Sequence, residues 1–115
     1  MVLTTVLSLL LVQQAPAPAA APRMSRPETV RCAGLTQAAA ELAGGERDEG
    51  RALSDAALFW SLAAAQSGAI QGLSEVESDR ELTAARVRAV AELTRGEASA
   101  REALAACVAR APDLG

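Results

Sequence analysis

Cys32 and Cys107 are the only thiols in a chain that has no His, Lys or Tyr. Nucleophilic or redox chemistry would have to run through one of them. A thiolate nucleophile needs a neighbouring base, most often His, and a dithiol oxidoreductase needs the C-x-x-C spacing. These two cysteines lie 75 positions apart. Without His, neither a Ser-His-Asp nor a Cys-His arrangement can be built, and no haem-attachment sequence is present. The pairing of the two sulfurs with each other is the reading that remains.

Glu75, Glu77, Asp79 and Glu81 alternate as the acidic ligands of an EF-hand loop do. The sixth position is Arg80 where that loop needs Gly, and the twelfth is Arg86 where it needs Glu. The run therefore reads as a solvated acidic helix start, and so do Glu46, Asp48 and Glu49. A catalytic cleft would have to gather Arg80 or Arg86 with Glu81 or Glu92, but such spacings are those of ordinary surface charges on a helix. Phe59 and Trp60, the only aromatics, point about 100° apart on a helix. One of them faces a core, and the other leans toward an inter-helix groove. They are the candidate ligand or partner groove. No catalytic residue, metal ligand or cofactor is assigned.

The elements that must position these residues are helical. Ala, the strongest helix former, makes up roughly a quarter of the chain, and no alternating strand pattern appears after residue 12. An Ala and Arg excess without Lys is also what GC-rich coding yields, which suggests a bacterial source. At 115 residues and net charge −3, the chain makes one domain. Its arginines project in several directions, so no basic stripe for nucleic acid is expected.

The amino-terminal segment reads as an address. Residues 2–12 are an apolar run too short to span a bilayer. Gln13, Gln14 and the small residues 15–21 follow, with three A-x-A sites. No Arg or Lys precedes the run, which fits a true start slightly upstream. The expected organisation is a secretory signal at 1–21, a short Pro-rich tail at 22–27 and a helical domain at 28–115. The chain would be exported, most plainly to the periplasm or the medium. No stable membrane span is expected after cleavage.

Along the mature chain, Ser25, Pro27 and Glu28 make a capping box opening a first helix, which Gly44 and Gly45 stop. A second helix begins in the acidic 46–49 segment or only at Ser54, and fades at 68–72. Residues 53–66 carry apolar positions on nearly every side and are expected to occupy the centre. Capping boxes at Ser74 and Ser78 compete to open a third helix. Thr94 to Glu97 reads as the box of a fourth, although the 3/4 rhythm from Leu82 to Cys107 also allows one long helix. The cysteines decide between the two. They sit near opposite ends of the chain, and those ends meet in an up-down bundle only for an even helix count. The expectation is an all-α, antiparallel up-down-up-down four-helix bundle stapled by Cys32–Cys107.

Residues 59–68, Phe-Trp-Ser-Leu-Ala-Ala-Ala-Gln-Ser-Gly, resemble the end of the first helix of Sel1-like repeats. The match covers that stretch alone, places its Gly one position late and has no second copy, so the chain is not assigned to that family. The general plan resembles small secreted bacterial helical proteins of unassigned function. The functional expectation is a binding or structural role, as an envelope accessory factor with a protein partner. A carrier of a small hydrophobic ligand beside Phe59 and Trp60 is the alternative.

Overall fold

A computed structural model describes residues 24–44 and 48–112. The expected signal segment, residues 1–21, lies outside them. Four helices make up the described chain: α1 (Arg26–Ala43), α2 (Asp48–Ile70), α3 (Glu75–Thr94) and α4 (Ala98–Arg110). No strand occurs among the described residues. The protein is an antiparallel four-helix bundle, and Cys32 is bonded to Cys107 with their Cα atoms 5.4 Å apart.

The helix ends follow local chemistry. Ser25 caps α1, its Oγ accepting from the Glu28 amide. Arg26 and Pro27, read from the sequence as the end of a tail, are the first turn of that helix. Ser74, not Ser78, caps α3 through the Glu77 amide. The helix α2 starts at Asp48 despite Gly50, with Asp48 and Glu49 in its first turn, where carboxylates favour the helix dipole. Gly72 ends α2 at φ 80° and Gly96 follows α3 at φ 72°. In each turn the next amide reaches back five residues, Leu73 to the Gly68 carbonyl and Glu97 to the Glu92 carbonyl. Only a residue free to adopt positive φ closes such a turn without strain. This break at Gly96 excludes the single long helix. The cap of α4 is Glu97, which makes no side-chain bond there, so the capping box expected at Thr94 does not form. Thr94 is still the last residue of α3.

The centre of the bundle is α1, which corrects the expectation that residues 53–66 would occupy it. Ala33, Leu35, Thr36 and Ala38 of α1 are fully buried, whereas Leu58 and Leu62 of α2 remain 55% and 59% exposed. Side-chain size accounts for this. A helix touched by three neighbours needs small residues on most sides so that the backbones can approach. That condition is met by Ala33, Gly34, Thr36 and Ala38, and the leucines of α2 are too large for it. At Gly34 the approach reaches backbone contact: a Cβ there would lie 2.6 Å from the Ala85 carbonyl carbon of α3.

The helices α1 and α2 run antiparallel, Gln37 donating to Ser61 and Arg26 to the Ala64 carbonyl. Along α1, Arg26, Gly34 and Glu41 meet Glu81, Ala85 and Arg86 of α3 in that order, while the Arg31 side chain reaches further along α3 to Glu92. The helix α3 packs on α1 at Gly34, with the ion-paired Arg31 and Glu41 on either side of it along α1. None of the described helices is long and apolar enough to cross a membrane.

Candidate functional site

The residues singled out from the sequence converge at one level of the bundle. Trp60 is buried, and its indole Nε1 donates to the Cys107 carbonyl at 2.9 Å. The disulfide and this bond together tie α1, α2 and α4. Phe59 is half-buried and meets the Trp60 ring edge-on, with centroids 5.1 Å apart, a favoured aromatic geometry. Four clefts among the described residues are lined by other side chains. Trp60 is thus a core and locking residue here, its polar handle already used.

Titratable groups are dispersed rather than gathered. The Arg26 side chain is buried beneath the ends of α2 and α3, donating to the Ala64 carbonyl at 2.8 Å and to Glu81 at 3.3 Å. Gly68 makes room for it: a Cβ at Gly68 would stand 3.2 Å from the Arg26 guanidinium and 2.9 Å from Ser78 Oγ. Glu92 is held by Arg31, with Arg88 on its outer side. The Arg31 hydrogen bond is the main cause holding the Glu92 carboxyl below the ordinary range, against the opposing effect of burial. Arg86 is engaged by Glu41. Of the four residues that a catalytic cleft would have to gather, Glu81, Arg86 and Glu92 are therefore drawn to three separate places. Among the described residues, no three His, Cys, Asp or Glu side chains converge on a point where a metal ion could sit, and both cysteines are bonded.

What the bundle does offer is a surface. Leu58, Leu62, Ala65 and Ala69 follow one another at helical spacing and all face outward from α2. Ala65 and Ala69 floor a cleft of about 510 Å³ between the end of α2 and the start of α3, walled by Leu73, Val76 and Leu82. Ser78 lines the same cleft, buried, its hydroxyl without a hydrogen-bond partner. Val76 is itself largely exposed, as is Ile70 at the end of α2. Glu75 and Asp79 border the cleft, and neither is engaged in an ion pair among the described residues. An apolar strip of this continuity marks an interaction face far more than scattered surface leucines do.

The 3/4 spacing of these four positions is plain in the sequence, but it reads there as a second buried face. Nothing local distinguishes an apolar face that is covered from one left open. The fold and surface together define a small disulfide-stapled helical bundle with an apolar face on α2 that the described residues leave uncovered. No family model, curated protein or solved structure matches the chain.

Proposed function

We propose that this chain is a small exported bacterial protein whose work is binding or structural, carried by the outward face of α2. The observation that carries the reading is the exposed strip Leu58, Leu62, Ala65 and Ala69, continuous with the cleft at the α2–α3 turn. Burying such side chains is favourable by about 25 cal/mol per Å² of apolar surface, so the strip is a standing drive toward a partner. Export is supported by the apolar segment at 2–12, by the A-x-A sites after it, and by a cysteine pair suited to an oxidising compartment. In this reading the periplasm or the medium is where the disulfide forms. Catalysis has no part in it. The ligand-carrier alternative beside Phe59 and Trp60 has less support, because the indole N–H is already bonded within the core.

The test is photo-crosslinking in the native host, with a benzophenone amino acid at position 62 and, as a control, at Glu102, which is exposed on α4. The reading predicts discrete protein adducts at 62 and none at 102. Absence of adducts at 62, or equal adducts at both, would defeat it.

A further inference from the structure

We propose that the Cys32–Cys107 bond is a redox latch on α4: a dithiol that reduces it releases α4 from the bundle while α1, α2 and α3 stay folded. The inference goes beyond the reading of the α2 face and does not depend on it.

The argument is the uneven way in which the helices are joined. Among the described residues, the ion pairs between helices all link α1 to α3, through Arg26–Glu81, Arg31–Glu92 and Glu41–Arg86. Gln37 and Arg26 of α1 hold α2 through Ser61 and the Ala64 carbonyl. By contrast, a single side-chain hydrogen bond among the described residues reaches α4 from another helix, Trp60 donating to the Cys107 carbonyl. Its acceptor sits on the disulfide residue itself, so the covalent bond keeps that carbonyl in place.

Little else retains α4. Ala100 and Cys107 are its buried residues, and an alanine methyl brings little apolar area. At 13 residues, the helix has a length that is marginal in water by itself. Its first turn lacks a side-chain cap, and Gly96, at φ 72°, stands as a hinge before it. Once the latch is open, ordering these residues against the bundle costs more conformational entropy than so small a contact offsets. The α1–α2 and α1–α3 bonds, and the close approach at Gly34, do not involve α4.

The bond can also be reached. A cleft of about 250 Å³ lies against it, lined by both cysteines with Met24, Arg31 and Arg110. Guanidinium groups in such a cleft favour the thiolate forms that exchange requires. A thiolate of the reductant attacks one sulfur, the S–S bond breaks, and the other cysteine leaves as thiolate. The second thiol of the reductant then displaces the first cysteine. The reductant ends as its own disulfide, and Cys32 and Cys107 have gained two electrons and two protons. Release of α4 leaves the Trp60 indole N–H to water.

Amide hydrogen exchange read by mass spectrometry, on the full chain oxidised and again in excess dithiothreitol without denaturant, tests the proposal. Reduction is expected to lower protection over residues 98–110 by roughly a hundredfold or more, as sub-global opening does, while the centres of α1, α2 and α3 stay protected. Trp60 emission should move to longer wavelength in the same sample. Cys32→Ala/Cys107→Ala should reproduce both changes without reductant, and reoxidation of the wild type should reverse them. Protection of 98–110 unchanged by reduction would mean that packing alone holds α4, and would overturn the proposal. Protection lost from α1 together with α4, or a bond that resists dithiothreitol until the whole chain unfolds, would overturn it as well.

Discussion

Replacing Gly34 by Ala sets two effects of opposite sign against each other. In an exposed helix interior the change stabilises by about 1 kcal/mol, because Ala is the better helix former. Here the new methyl would sit 2.6 Å from the Ala85 carbonyl carbon, 2.7 Å from its oxygen and 2.8 Å from its Cβ. Two of those atoms are backbone, so no rotamer change relieves the overlap. The whole of α3 must move outward by about 1 Å to reach ordinary contact distance. That displacement acts on the Arg31–Glu92 and Glu41–Arg86 pairs, whose α1 members flank Gly34. Overpacking of this kind costs about 1–3 kcal/mol and more where backbone is met. After the propensity gain, a net loss of about 1–2 kcal/mol is expected, or about 5–15 °C in Tm for a domain of this size. Thermal unfolding followed by circular dichroism reads it. A Tm that rises by several degrees, as propensity alone would give, would refute the α1–α3 contact and with it the placing of α1 at the centre.

Three further outcomes follow from the same geometry. Reducing the Cys32–Cys107 bond, which closes 75 positions, should remove about 4 kcal/mol in the chain-entropy account; an unchanged melting curve under reductant would contradict it. Trp60→Phe should cost about 1–3 kcal/mol in chemical denaturation through the lost hydrogen bond and the volume left behind, the Cys107 carbonyl keeping its contact with the Ala111 amide. The carboxyl of Glu92 lies below its ordinary value of 4.5 when folded, so its contribution is fully present above that pH. It is lost as pH falls through the lowered folded value. Glu92→Gln should therefore be less stable than the parent at pH 7, with the gap closing in acid; a gap unchanged by pH would oppose this.

Much of this arrangement was legible in the residues, and the remainder was hidden for identifiable reasons. Ser25 and Gly44 mark the ends of α1 because caps depend on neighbours in the chain. The helix count followed from Cys32 and Cys107, since a covalent bond of fixed length constrains topology from any distance. Hydropathy points to the wrong central helix because it rewards Leu58 and Leu62, whereas a position packed by three helices rewards the absence of side chain, as at Gly34. Thr94 scored as a cap by pattern, yet Gly96 closes α3 in a five-residue return that leaves Thr94 inside that helix. The burial of Arg26 had no local signal, because its partners, the Ala64 carbonyl and Glu81, are far away in the chain. The sequence leaves Trp60 as core or groove, and the choice depends on a carbonyl in α4 that no spacing within α2 reveals.

Covalent footprinting of the dilute, oxidised protein with a small carbene or hydroxyl-radical probe, read residue by residue, tests the central claim most directly. The account predicts heavy labelling of Leu58 and Leu62 together with protection of Leu35 and Trp60. Labelling of Leu35 with Leu58 and Leu62 protected would mean that α2, not α1, is the buried helix, and the open face would not exist.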